Sequence, residues 1–219
     1  MIRIGGIDEA GRGSILGPLV IAGVSTTDEK LNKIVKLGVK DSKLLTRKRR
    51  TDLYTKIINV ADKIQVFKIP PEEIDRYVIN GKKLQKLNYL EAITMAKVLN
   101  KLDVDQAYVD ASDVNPNRFK CNILEYLNKN VQITSTHHAD RIYPIVSAAS
   151  IIAKVERDYE IKILIEKYGD FGSGYPSDNH TRNYLIEWMN KNDFLPDFSR
   201  KSWKTFSKLK IRTLDNLLG

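Results

Sequence analysis

Gly6-Ile7-Asp8-Glu9-Ala10-Gly11-Arg12-Gly13 follows a short apolar run that begins at Met1, and it ends in glycines. Side chains of an extended chain alternate, so Ile4, Gly6 and Asp8 share one strand face while Ile7 and Glu9 share the other. Two adjacent acids thus close an otherwise buried strand. Isolated carboxylates in such a place are costly unless something positive meets them, and a divalent cation is the simplest such partner. Gly11 and Gly13 allow backbone conformations and close approaches that a side chain would forbid, with Arg12 between them as a donor. The octet reads as a metal-ligand set running into a substrate-gripping loop. The plain alternative is a strand that ends in a polar turn.

Around this stretch the chain has the means to build one large domain with at most a terminal appendage: 219 residues, 42% of them hydrophobic and 29% charged. A formal charge of +9 favours a polyanionic partner, because clustered Lys and Arg release counterions from phosphates. Simple solubility is the other reading of that charge. Cys121 is the only cysteine, which excludes an intramolecular disulfide and argues against a thiolate zinc site. It reads as a small buried residue. No basic-apolar-small leader opens the sequence and no apolar run is long enough to span a bilayer, so the expectation is an intracellular, cytoplasmic protein without a membrane partner.

Pro18 to Ser25 is apolar, β-branched at several positions and too short for a helix, which makes it a second strand in a hairpin with the first. Thr46 reads as the N-cap of a basic helix reaching about Ala61, and Ile64 to Ile69, halted by Pro70-Pro71, as a third strand leading into another helix. From Lys83 to Leu102, Leu84, Leu87, Met95, Val98, Leu99 and Leu102 mark a helical core stripe. Ala107 to Ser112 is a buried strand that again ends in an acid, Asp110; the alternative use of that Asp is a turn or the cap of the helix near Pro116. Val131 to Thr136 is the fifth strand and runs into His137-His138-Ala139-Asp140-Arg141. Adjacent histidines point apart in most backbones, so this pair reads as polar loop rather than zinc ligands.

Pro144 opens a long helix with Ser147, Ser150 and Lys154 on one side and Ile145, Ala149, Ile152 and Val155 on the packing side. A glycine-rich loop, Phe171 to Asp178, then exposes one aromatic, Tyr175. The chain ends in a helix through Trp188 and a basic stretch whose Trp203, Phe206 and Leu209 are spaced for one apolar side. Basic residues interleaved with aromatics suit nucleic acid; a docked helix with solvated lysines fits the same pattern.

The octet resembles the N-terminal signature of the type 2 ribonucleases H. Further motifs follow that family's order along nearly the whole chain: Asp41-Ser42-Lys43, Ala107 to Ser112, His137 to Asp140 with His138 where the family has Lys, Ser147 to Asp158, and Phe171 to Asp178. The resemblance implies a ribonuclease H-like α/β fold, a mixed five-stranded sheet with its first three strands antiparallel and helices on both faces. It divides the chain into a catalytic domain over 1–195 and a basic C-terminal helical extension over 196–219, packed on or near the substrate groove.

By the same resemblance Asp8, Glu9, Asp110 and Asp140 hold two Mg2+ or Mn2+ ions, a choice that four hard oxygen donors also favour. Gly11, Arg12, Gly13 and Tyr175 sense the 2′-hydroxyl, and Lys43, Ser150 and Lys154 approach the metal site or a phosphate. Solvated lysines and a loop-packing tyrosine are the competing readings. The implied activity is an endoribonuclease that cuts the RNA of RNA/DNA hybrids and nicks 5′ of single ribonucleotides in duplex DNA, leaving 3′-hydroxyl and 5′-phosphate, in ribonucleotide and primer removal. The chain is expected to be a monomer. Its end, with Ile211, Leu214, Leu217 and Leu218, looks like a degenerate sliding-clamp-binding tail or a frayed helix end. Type 3 ribonucleases H and junction resolvases would share the carboxylates. A non-enzymatic nucleic-acid-binding module would have no reason to place four acids at strand ends.

Overall fold

Strand β1 (Arg3–Ala10) carries both acids of the octet and forms the centre of a five-stranded sheet in the computed structural model, which describes residues 1–39, 45–80 and 86–206. On one side β2 (Leu19–Thr27) pairs antiparallel with β1 and β3 (Lys63–Ile69) antiparallel with β2; on the other β4 (Gln106–Asp110) and β5 (Gln132–Thr136) add parallel strands. The order β3-β2-β1-β4-β5 is the part that no periodicity encodes. Its register matters for the site. Ile7 stands level with Val109 and Asp110 with Thr136, so the parallel strands end together and the acids after Ile7 and Val109 meet at one carboxyl edge.

Helices cover both faces, as a strand hydrophobic on both sides requires. Helices α3 (Pro71–Asn80), α4 (Lys86–Lys101) and α5 (Pro116–Leu124) enclose the core that contains Ile7. Helices α1 (Asp28–Lys36), α2 (Arg47–Val60) and α7 (Pro144–Tyr168) enclose the one that contains Ile4 and Ala10. The two faces of β1 therefore follow the expected alternation. Each fully buried Ile, Leu or Phe here contributes about 1.5–3 kcal/mol relative to leaving it in water.

Local signals act where the sequence places them. Thr46 caps α2 by accepting from Arg49 N, and Pro116 and Pro144 open α5 and α7, where the missing N–H costs nothing. The cap of α5 is Asn115, which accepts from Arg118 N, so Asp110 is not used as that cap. Cys121 corrects its expectation: it is exposed, because α5 turns Phe119 and Ile123 inward and residue 121, two positions from each, faces out. Helix α7 is buried from Ile145 to Ala153 on every side, since α1 and α2 pack on the side away from the sheet; Ser147 and Ser150 have no exposed surface. Ser147 meets its need by donating to Val39 O.

A third core lies at the carboxyl edge, where Ile15, Leu16, Phe171 and Phe198 pack with α8 (Asn179–Lys191). Here the chain from Pro196 to Phe206 is bound to the octet's loop: Leu16 bridges Ser199, and Gly17 N donates to Phe198 O at 2.8 Å. Asp75 of α3 anchors the next turn, accepting from Lys201 N, Ser202 N and Ser202 Oγ. Lys43, Leu209 and the tail with Ile211, Leu214, Leu217 and Leu218 lie outside the described residues. No described helix is long and apolar enough to cross a membrane.

Candidate active site

Three of the four predicted ligands converge. Asp8 on β1, Asp110 at the end of β4 and Asp140 on the short helix α6 (Ala139–Ile142) each offer a carboxylate oxygen, and the three atoms lie within 4.8 Å of one another. Asp8 and Asp140 are buried and Asp110 is half-buried. Ala139 N donates to Asp110 Oδ1 at 3.3 Å, which fastens the start of α6 to β4. His138, just before α6, adopts φ 55°, a left-handed conformation that delivers Asp140 to the cluster. Neither histidine joins it: both are exposed, and His137 Nε2 reaches only Val114 O.

Glu9 approaches from the other face of β1. Alternation sends it toward α4, outside the three-atom set, where it meets the charges of Glu91, Asp110 and Arg12. Among the described residues its Oε2 is buried with no hydrogen-bond partner. Burial, then the charges of Glu9 and Asp110, hold Asp8 well above the usual carboxylate range. Burial, then Glu91 and Asp110, raise Glu9 as well, against the pull of Arg12. Acids pushed up together in this way are stabilised by a cation among them. A buried orphan oxygen and a set of hard carboxylate donors fit a divalent ion of the magnesium or manganese kind.

Ser150 and Lys154 stand at the cluster's rim on α7. Ser150 hydrogen-bonds Asp8, and Lys154 Nζ donates to Ser150 Oγ at 2.8 Å, so a cation sits one hydroxyl away from the first acid.

The octet's loop follows directly. Gly11 has φ 86°, a conformation that disfavours any side chain, and a Cβ there would also collide with Arg157. Ser14 N and Oγ close the turn on Gly11 O. Gly13 differs, since open space lies where its Cβ would be. The Arg12 side chain turns inward rather than toward a ligand: Nε lies 3.2 Å from the fully buried Glu91, and Nη2 donates to Asn88 Oδ1 and, at 3.4 Å, to Ser112 O. Of the three residues Gly13 is the exposed one, and the Arg12 side chain remains a third exposed.

Tyr175 is half-buried. Its loop joins the octet's loop through Gly174 O, which accepts from Ile15 N and Leu16 N at 2.8 and 3.1 Å. Glu91 and Asn88 belong to no motif of the sequence, while Arg157 lies in the Ser147 to Asp158 motif and Arg200 in the basic C-terminal stretch, and the structure gathers all four around the two loops. Glu91 had a signal, because it stands four residues after Leu87 and four before Met95, an acid on the core stripe of α4. Arg157 had one too, seven residues beyond Ser150 on the same side of α7.

A model of the ribonuclease HII family matches residues 5–206. The chain belongs to the ribonuclease HII family. It is 44% identical over 211 residues to ribonuclease HII of Pyrococcus furiosus, an alignment covering 95% of this chain and 92% of that one. The crystal structure of the ribonuclease H2 from Pyrococcus horikoshii superposes with a TM-score of 0.88 at 40% identity, over 98% of this chain and all of the other. Ribonuclease HII of Archaeoglobus fulgidus, solved in complex with PCNA, gives 0.84 at 42% identity, over 93% and 96% of the two chains. The enzyme is thus an endoribonuclease of the metal-dependent ribonuclease H kind, acting on RNA/DNA hybrids, and the expected mixed α/β fold holds.

Proposed function

We propose that Asp8, Glu9, Asp110 and Asp140 are the catalytic acids and hold two Mg2+ or Mn2+ ions, and that the enzyme cuts on the 5′ side of single ribonucleotides in duplex DNA as well as within hybrids. The observation that carries this is the convergence of three acids from β1, β4 and α6 at a sheet edge that continues into the Gly11–Gly13 loop. When bound, such ions supply an activated water and neutralise charge on the phosphate and the leaving oxygen. The protein's own groups do the rest. Asp8 and Asp110 orient the site from paired strands, and Lys154 through Ser150 adds positive potential beside Asp8. Lys43 is assigned to a substrate phosphate on resemblance alone.

The backbone of the Gly11–Gly13 loop senses the 2′-hydroxyl, the group that separates RNA from DNA, through groups other than Gly11 O and Arg12 O, which are already bonded to Ser14 and Arg200. Gly13 supports this assignment, because nothing inside the protein requires a glycine there while a sugar approaching the backbone does. Tyr175 packs against the sugar next to the ribonucleotide. Phosphate contacts then position the duplex without reading bases. A groove of about 870 Å3 leads from Tyr175 along α7 to Arg47 and Arg50 of α2, both of which pair with Asp158 on the same wall.

The catalytic unit comprises 1–195, with 196–219 as a basic extension whose first part packs beside the loop. The enzyme works as a cytoplasmic monomer. The Archaeoglobus relative's complex with PCNA supports assigning the tail at Ile211, Leu214, Leu217 and Leu218 to a sliding clamp. Pull-down with the clamp should fail once 211–219 are removed; equal retention of both forms would remove that assignment.

The main test uses labelled duplex DNA with one ribonucleotide, incubated with magnesium, manganese or chelator. Metal-dependent 5′-side cutting is the expected result. Binding without cutting under either ion would overturn the proposal.

A further inference from the structure

Two buried cations lie between the octet's loop and the Tyr175 loop, and the chemistry above uses neither. Arg157 of α7 is 5% exposed. Its guanidinium lies 4.6 Å from the centroid of the Tyr175 ring, and its Nη2 donates to Ser173 O at 3.1 Å. The same side chain lies against Gly11, so closely that a Cβ at Gly11 would overlap its Nε and Cδ. Among the described residues that Nε is buried without a hydrogen-bond partner.

Arg200 enters from the C-terminal segment with no exposed surface. Its Nη1 donates to Arg12 O at 2.9 Å and its Nε to Gly17 O at 3.1 Å, gripping the octet's loop and the turn that follows it. Burial, then the charge of Arg157, lowers its pKa to about 9, which leaves it charged at neutral pH. Two like charges are held together here, and each is tied to the backbone of one of the two loops.

Burying a cation with an unused N–H is unfavourable, and a leucine or methionine would fill the same space without that cost. A planar guanidinium offers what they lack. It lies against an aromatic ring while its edge bonds the carbonyl two residues before that ring, which ties the ring and its loop to one rigid plane.

We infer that Arg157 is a positioning residue: it sets Tyr175 at a fixed distance from Gly11, so that the gap between ring and loop gauges the sugar at the RNA–DNA junction, while Arg200 keeps the loop side of that gap from moving. The inference rests on the reading in which Tyr175 and the Gly11–Gly13 loop grip the nucleotide. It places selectivity for a single ribonucleotide partly in a residue that need not touch substrate. A continuous hybrid, with a 2′-hydroxyl at every position of one strand, depends on that gap less.

The test uses full-length Arg157→Met, Arg157→Lys, Tyr175→Ala and the Arg157→Met/Tyr175→Ala double variant. Each is assayed for kcat/KM on a duplex with one ribonucleotide and on an RNA/DNA hybrid, with melting temperatures in parallel. Arg157→Met should lose about tenfold or more on the single ribonucleotide relative to the hybrid, as a small displacement of a positioned group does. Arg157→Lys keeps the charge and lacks the plane, so it should fold and show the same skew. The double variant should lose no more selectivity than Tyr175→Ala alone, because both changes remove one device.

Equal losses on both substrates that track melting temperature would make Arg157 structural and overturn the inference, as would losses of the two single variants that multiply in the double. If Tyr175→Ala leaves the substrate ratio unchanged, the reading of Tyr175 fails first and the inference falls with it. A skew in Tyr175→Ala with none in either Arg157 variant would refute the role of Arg157 alone.

Discussion

Arg12 Nε lies 3.2 Å from the carboxylate of Glu91, a side chain with no exposed surface. The residue at the centre of the octet's loop is thus a tether to α4. Its removal and the removal of its partner are not equivalent. Arg12→Ala strands a buried acid beside Glu9, whereas Glu91→Gln leaves a cation that is a third exposed and can be solvated. Discounted for that exposure, Arg12→Ala should destabilise by about 2 kcal/mol in urea unfolding, and adding Glu91→Gln should recover much of it. An Arg12→Ala protein as stable as the parent would show that the pair does not hold the loop.

Asp8→Asn and Asp110→Asn should each lower hydrolysis by roughly a thousandfold or more while the protein stays folded, since each removes one donor of the cluster. Removing an acid also relieves repulsion, so neither variant should melt below the parent without metal. Adding Mn2+ should raise the parent's melting temperature, chelator should reverse the rise, and both variants should respond less. A parent indifferent to the ion in thermal melts would remove the ligand assignment independently of any activity assay.

The glycines of β1 separate packing from site geometry. A Cβ on Gly6 would overlap the carbonyl of Ile145 in the first turn of α7, whereas one on Gly5 would meet only the side chain of Val104, at 3.0 Å. Gly6→Ala must displace α7, and with it Ser150 and Lys154 from Asp8. Its cost should reach about 3 kcal/mol or more, with activity falling in step, while Gly5→Ala stays within about 1 kcal/mol. Melting curves that do not distinguish the two would refute the close approach of α7 to β1.

Acid sensitivity should appear in the Tyr175 loop. Asp178 accepts from Ser173 N and Oγ and from His180 N, and these hydrogen bonds hold its carboxyl down to about 2. A depressed acid adds stability that is present above its unfolded value and disappears as pH falls from about 4 to about 2. The melting-temperature advantage of the parent over Asp178→Asn should therefore shrink across that window and be constant above about pH 5. An advantage that grows on acidification would reverse the sign of this argument.

Much of the fold was legible because local rules act on neighbouring residues. The five strands, the Thr46 cap, the proline starts of α5 and α7 and the opposite facing of Asp8 and Glu9 all follow from spacing and residue type. The candidate site was legible as acids at the ends of β1 and β4 and one just beyond β5. Cys121 shows where this stops: residue type favoured burial, but the neighbours Phe119 and Ile123 had already claimed the inner face of α5.

The sequence alone determined which residues carry charge and that Asp8, Glu9 and Asp110 close strands, since those facts depend only on composition and on a period of two. Tertiary structure alone decided the strand order, the parallel register that levels Ile7 with Val109, and the left-handed turn at His138 that brings in Asp140. It also decided the inward turn of Arg12 to Glu91 and the insertion of Arg157 and Arg200 beneath the octet's loop and the Tyr175 loop. Arg12 meets α4 76 positions away in the chain and Arg200 meets Arg12 188 away, and only the packing of separate elements selects such partners, because no local periodicity links them.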